Sequence, residues 1–306
     1  MLGSIRGYWR ARRGYQTLLY AVGALLVLGG LFHIIVFLVR GGPWSGPLSW
    51  RKPSVFGISF GLTVGTIGWI MGFLRMPRPV GWMLAVPLAA ASVAEVFLIT
   101  MQQWRGVPSH FNVALPFDEE VFQWMGNMVA VVAVVISIVT IWSFVSLSAP
   151  PTIAWAIRIG LVLLVSGQAF GGAIIANGFN RLDQGFTTDF NVFGSAGAMK
   201  VPHAVSMHGI QVLPFLAWLT GFTRWPERVG LAIVVAGSAG YTGLVVVAAL
   251  QTFSGLAPFE LDAPVTAMLS VSAALLFGAF ALAVGASEGR GGLHPPLPAD
   301  QPRISR

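Results

Sequence analysis

An all-α, polytopic transmembrane helix bundle of about eight spans is the fold class this sequence predicts. Three observations predict it. Of 306 residues, 55% are hydrophobic and only 9% charged, with a mean hydropathy of +0.76, whereas a soluble surface needs roughly a quarter of its residues charged. Apolar runs of about 20 residues recur, the length that crosses a hydrocarbon core about 30 Å thick. The 18 basic residues outnumber the 11 acidic ones for a net charge of +7, but they flank the apolar runs. They therefore read as topology signals and not as a nucleic-acid surface.

The spans follow in order. The first run, 16–39, lies between Arg13 and Arg40. It is too long for a signal-peptide core and lacks an A-x-A cleavage site, so it reads as a span. The second, 55–74, carries Gly57, Gly61 and Gly65 at four-residue spacing, a pattern that permits close helix contact. The third, 80–102, contains Glu95, and the fourth, 124–146, follows the acidic stretch 118–120. The fifth, 153–177, follows two prolines. The sixth, 204–222, is the shortest and carries His208 and Pro214, so seven spans are the alternative count. The seventh and eighth are 229–252 and 264–286. Residues 1–287 are thus expected to form one transmembrane helical domain. Residues 288–306, polar and Pro-rich, are expected to be a disordered cytoplasmic tail. Cysteine is absent, which excludes disulfides, thiolate metal sites and cysteine nucleophiles.

Eight spans put both termini on one side. That side collects twelve basic residues, among them Arg12, Arg75, Arg158 and Arg224, against six on the other, Arg40, Arg51, Lys52, Arg105, Arg181 and Lys200. The excess predicts a multi-pass cell-membrane protein with cytoplasmic termini. The two longest connections, about 103–123 and 178–203, then face outward.

Glu95 is the most informative residue. An ionisable side chain at membrane depth costs several kcal/mol, and its default reading is functional. Gln102 lies seven residues on, hence on the same helix face. His33, Gln168, His203, His208 and Gln211 are expected in the same outer half. The loop run QQWRGVPSHFN adds Trp104, Arg105, Ser109, His110 and Asn112, with Trp124 beyond it. Each has a blander reading: a lone Gln in a span is commonly interhelical glue, a loop His is commonly solvated, and much of the Trp content is interfacial belt.

A carboxylic acid in apolar surroundings tends to keep its proton and can deliver it to an alkene or epoxide. Aromatic π-faces then stabilise the resulting cation. Glu95 is the candidate acid, with Gln102, His208 or His110 holding it or accepting the final proton. Trp104, Arg105, Ser109, Asn112, Trp124, His203, Gln211, His33 and Gln168 are candidate substrate contacts. No cofactor is required in this reading. The alternative is a b-type haem held by two of His33, His203 and His208, and a proton-coupled transporter is a further one. A copper or zinc site from His110, His203, His208 and Glu95 is permitted by residue type, but no ligand spacing calls for a metal.

At QQWRGVPSHFN and KVPHAVSMHGIQVLP the chain resembles a family of bacterial integral membrane proteins. In size, span count and lack of known cyclase motifs it is similar to actinobacterial membrane terpene cyclases of the drimentine and indolosesquiterpene type. That resemblance implies a cofactor-independent cyclase acting on a hydrophobic prenylated or farnesyl-type substrate in the bilayer. It supplies no catalytic residue; those named above come from depth and residue type.

Overall fold

A computed structural model describes residues 12–287. The tail at 288–306 and the first eleven residues lie outside the described residues. The described residues form eight α-helices: α1 (Gly14–Arg40), α2 (Arg51–Ile70), α3 (Arg78–Arg105), α4 (Pro116–Ser146), α5 (Pro151–Asp183), α6 (Lys200–Thr220), α7 (Glu227–Phe253) and α8 (Ala263–Ser287). The only sheet among them is a two-stranded antiparallel hairpin, β1 (Val192–Phe193) with β2 (Gly197–Ala198), in the α5–α6 connection. Seven helices are long and apolar enough to cross a membrane; α6 is not among them. The chain is a multi-pass membrane protein.

Several helices outrun their apolar segments. α3 continues to Arg105 and α4 begins at Pro116, eight residues before its apolar run. Backbone hydrogen bonding does not stop where hydrocarbon stops. α3 ends where Gly106 takes a left-handed φ of 75°, a conformation glycine adopts without a Cβ penalty. α4 opens with Asp118 and Glu119 in its first turn, where negative charge meets the positive end of the helix dipole.

The described residues divide into two compact units, Arg13–Val139 and the segment from Thr140 onward. In the first unit, α1 and α2 form a tight antiparallel pair, with α3 against both. The pairing follows from glycine. A Cβ on Gly57 would stand 2.8 Å from the Leu26 carbonyl, and one on Gly61 would stand 2.8 Å from the Val27 nitrogen. Backbones touch there, which is the packing role expected of the four-residue glycine spacing. Gln16 Nε2 donates to the Gly68 carbonyl at 3.0 Å, closing the other end of the same pair.

In the second unit, α5 and α6 form an equally close pair, α7 packs on both, and α8 packs on α7. A Cβ on Gly160 would lie 2.9 Å from Ile210 Cα, and one on Gly171 would meet the His203 ring at 3.1 Å. These contacts run antiparallel along the helices, so α6 accompanies α5 over most of its 21 residues despite its lower hydropathy. At one end, Glu227 Oε1 accepts the Thr152 N–H at 2.8 Å and its hydroxyl at 2.6 Å. At the other, Ser195 Oγ donates to the Gly255 carbonyl at 2.8 Å. α6 therefore spans the unit from end to end.

Candidate functional site

The residues singled out in the sequence fall in both units, and each set stands on its own geometry. In the first unit, the buried face of α3 carries Ser92, Glu95, Ile99 and Gln102. Their three- and four-residue spacings place them along one stripe. Glu95 is 1% exposed, and its Oε2 has no hydrogen-bond partner among the described residues. Ser92 Oγ, one turn away on the same face, is likewise buried and unpartnered. Buried side-chain oxygens are nearly always paired, so two on one stripe mark this part of α3 as unusual.

Gln102, expected to hold Glu95, is engaged elsewhere. Its Nε2 donates to Asp118 Oδ1 at 3.0 Å, and its Oε1 accepts from Arg105. Arg105 Nη1 also donates to Asp118 Oδ1 at 2.5 Å, and its guanidinium lies 4.7 Å from the Phe117 ring centroid. Asp118 thereby links the end of α3 to the start of α4. In the sequence Asp118 stands out only as part of the acidic stretch 118–120. The signal that could have found it is an acid in a helix's first turn, shortly after a Gln-x-x-Arg helix end.

The loop residues form a second small network. Lys52 Nζ reaches Ser109 Oγ at 3.4 Å, and Ser109 Oγ lies 3.0 Å from His110 Nδ1. The His110 ring sits 5.7 Å from Phe56 and 6.0 Å from Phe122. Asn112 Nδ2 donates to the Pro108 carbonyl at 3.1 Å and shapes the loop. Trp124 is 53% exposed and is a surface ring, not a cavity wall in this unit.

His33 meets Trp104 rather than Glu95. Trp104 Nε1 donates to His33 Nε2 at 3.1 Å, while His33 Nδ1 donates to the Gly29 carbonyl at 2.7 Å. Tryptophan can only donate, so the histidine tautomer is fixed by its partners. Trp104 is nine residues beyond Glu95, about 13 Å along the helix. The indole reaches His33 from the end of α3, and no hydrogen bond among the described residues joins His33 to Glu95. Both ring nitrogens of His33 are in use, and ligation of a haem iron by His33 would require breaking one of these bonds.

In the second unit, His203 Nδ1 donates to the Gly167 carbonyl at 2.7 Å, next to half-buried Gln168. His208 Nδ1 lies 3.4 Å from Gln211 Oε1, one turn along α6. Tyr241 donates its hydroxyl to the Val205 carbonyl at 2.6 Å, and Gln251 Nε2 donates to the Ala257 carbonyl at 2.8 Å. Tyr241 and Gln251 are packing residues. A groove of about 570 Å³ runs between α5 and α7, lined by Leu163, Ser166, Phe170, Val245, Leu250 and Phe253 among others. None of Gln168, His203, His208 and Gln211 lines it. Within either unit, no three His, Asp or Glu side chains among the described residues come together to hold a metal ion.

Arg158, one of the twelve basic residues on the side of the termini, donates Nε to the Ser143 carbonyl at 3.1 Å and lies over the Phe144 and Trp155 rings. Its stem runs along apolar surface while its head finds polar and π partners near the helix end.

No protein-family model matches the chain, and neither a curated protein nor a solved structure matches it.

Proposed function

We propose that the protein is an integral membrane terpene cyclase that starts the cyclisation of a prenyl- or farnesyl-type substrate by protonation, with Glu95 as the general acid. One observation carries this reading: the Glu95 carboxyl is buried in an apolar helix, and its Oε2 has no partner among the described residues. A carboxylate kept for structure would have a cation or several donors facing it. Further along the same helix, Gln102 and Arg105 are taken by Asp118. A carboxylic acid so placed suits proton donation to a substrate too weakly basic to take a proton from water.

The reaction is an isomerisation. The Glu95 O–H proton passes to a terminal alkene carbon or an epoxide oxygen. The electron pair of a second alkene closes a ring onto the resulting cation, and a proton leaves a neighbouring carbon to a base. Nothing is oxidised or reduced, and no cofactor is consumed. In the first unit His110, in contact with Phe56 and Phe122, is the base candidate, and those rings offer π-faces to a cation. The similarity in size, span count and lack of known cyclase motifs to actinobacterial membrane terpene cyclases supports the same class. The basic-residue asymmetry supports a place in the cell membrane with both termini cytoplasmic, from which the enzyme would draw an isoprenoid substrate out of the bilayer.

The test is isotopic. Purified protein in lipid nanodiscs in D₂O is expected to convert a farnesylated substrate to a cyclic isomer carrying one carbon-bound deuterium, and an epoxyfarnesylated substrate to a cyclic alcohol whose added deuterium sits on oxygen and exchanges. Linear substrate recovered unchanged across that panel, together with a stoichiometric Soret band from the same preparation, would replace this reading with the haem alternative.

A further inference from the structure

The stripe of α3 that carries Glu95 holds a second polar group, which the proton transfer does not use. Ser92 is fully buried, and its hydroxyl has no partner among the described residues. A serine or threonine inside a helix can satisfy its hydroxyl on its own helix, by donating to the carbonyl four residues back. Ser54, Thr66 and Ser166 do so, at 2.8, 2.7 and 3.0 Å. Ser92 makes no such bond to Leu88. Its O–H is a donor left over in apolar surroundings, where an unpaired hydroxyl is costly.

Ser92 and Glu95 stand three residues apart on the buried face of α3, so their Cβ atoms are neighbours, about 5–6 Å apart. Long helix side chains lean toward the N-terminus, which carries the Glu95 carboxyl back over the turn that presents Ser92. The rest of the stripe isolates the pair. Leu88, one turn before Ser92, and Ile99, one turn after Glu95, are fully buried hydrocarbon. Gln102, the next polar side chain on the stripe, is engaged by Asp118 and Arg105. An unpartnered hydroxyl and an unpartnered carboxyl oxygen are thus left side by side.

Two adjacent donors discriminate between the substrates that an acid can activate. An alkene carbon has no lone pair, so it takes the Glu95 proton and leaves the Ser92 O–H unpaired. An epoxide oxygen has two lone pairs and accepts from both groups. We propose that the substrate of this site is a prenyl chain ending in an epoxide, whose oxygen accepts from the Glu95 and Ser92 O–H groups together; this rests on Glu95 acting as the general acid. In the step, the Glu95 proton passes to the epoxide oxygen. The C–O bond to the more substituted carbon breaks with its electron pair staying on oxygen. An alkene pair closes the ring onto that carbon, and a proton leaves a neighbouring carbon to the base. The product is an isomeric cyclic alcohol, whose oxygen keeps the Ser92 bond. A site that pairs its buried polar groups with a substrate oxygen rejects the analogue lacking that oxygen, because those groups are then left unpaired.

The test measures kcat/KM of the full chain in nanodiscs for a farnesylated substrate and for its terminal epoxide, in wild type and Ser92→Ala. Epoxides open more readily than alkenes in any acid, so the deciding quantity is how the two rates change when the hydroxyl is removed. Ser92→Ala is expected to lower kcat/KM for the epoxide about tenfold or more, the scale of one lost hydrogen bond to the reacting oxygen. Conversion of the alkene is expected to stay as in wild type. An equal change for both substrates, no change for either, or cyclisation of the alkene alone overturns the epoxide assignment and leaves Glu95 as the acid. Cyclisation of neither substrate by wild type removes the acid reading, and the epoxide assignment with it. Should Ser92→Ala fail to fold, Ser92→Cys, which keeps the side-chain shape and weakens the donor, decides by the same criteria.

Discussion

Trp104 donates its indole N–H to His33 Nε2 at 3.1 Å, and that bond ties the end of α3 to α1. It also fixes the histidine tautomer, since Nδ1 is left to donate to the Gly29 carbonyl. The Trp104 ring remains 45% exposed, so its hydrogen bond, more than its burial, is what holds it there.

Trp104→Phe keeps the ring area and removes the donor. It is expected to lower stability by about 1 kcal/mol, seen as a reduced thermal midpoint in detergent. His33→Phe leaves an indole N–H without its acceptor and is expected to lower stability at least as much. An unchanged midpoint in both variants would mean that the bond is not formed.

Asp118 accepts from Gln102 and Arg105 at once while almost fully buried. Asp118→Asn is expected to destabilise by about 2 kcal/mol, the scale of a hydrogen bond to a charged group. Arg105 is 36% exposed, so solvent screens its charge and Arg105→Gln should cost less. Thermal unfolding of the two variants in parallel gives the order directly.

The α1–α2 contact separates two glycines that look alike in sequence. A Cβ at Gly61 would lie 2.5 Å from the Gly23 carbonyl, whereas one at Gly65 would meet nothing within 4 Å. Gly61→Ala is expected to force the backbones apart and destabilise by about 2 kcal/mol. Gly65→Ala is expected to be neutral or to stabilise by up to about 1 kcal/mol, the helix-propensity difference. Unfolding midpoints that move the same way for both would contradict the contact.

Glu227 caps α5 from the start of α7 through Thr152. Glu227→Ala removes an anionic acceptor from a helix N-terminus, and the expected loss is about 1–2 kcal/mol. Glu227→Gln keeps an acceptor oxygen and should recover part of it. Hydrogen exchange at the Thr152 amide reports the same contact locally.

Hydropathy made the helices legible because span length and apolarity are local properties. The ends were less so: α4 begins at Pro116, since polar residues continue a helix once it leaves hydrocarbon. The glycines at 57 and 61 were readable as packing, because a four-residue spacing has one geometric meaning. Gly65 shares the spacing, but a Cβ there would point into open space, which no pattern reveals. The site was legible one residue at a time. Glu95 stood out by its cost, but depth counted in residues could not anticipate that Trp104 would reach His33, or that Asp118 would claim Gln102. Those choices depend on side-chain reach and on competition between donors.

The proposed chemistry turns on Glu95, and one measurement tests it most directly: conversion of a farnesylated substrate to cyclic product by wild-type protein, Glu95→Gln and Glu95→Asp at matched fold content in nanodiscs. Glu95→Gln fills the same space without a transferable acid proton. It is predicted to lower product formation at least a thousandfold, within the range general acid catalysis supplies, with Glu95→Asp retaining measurable turnover. Wild-type turnover in Glu95→Gln would contradict the central claim.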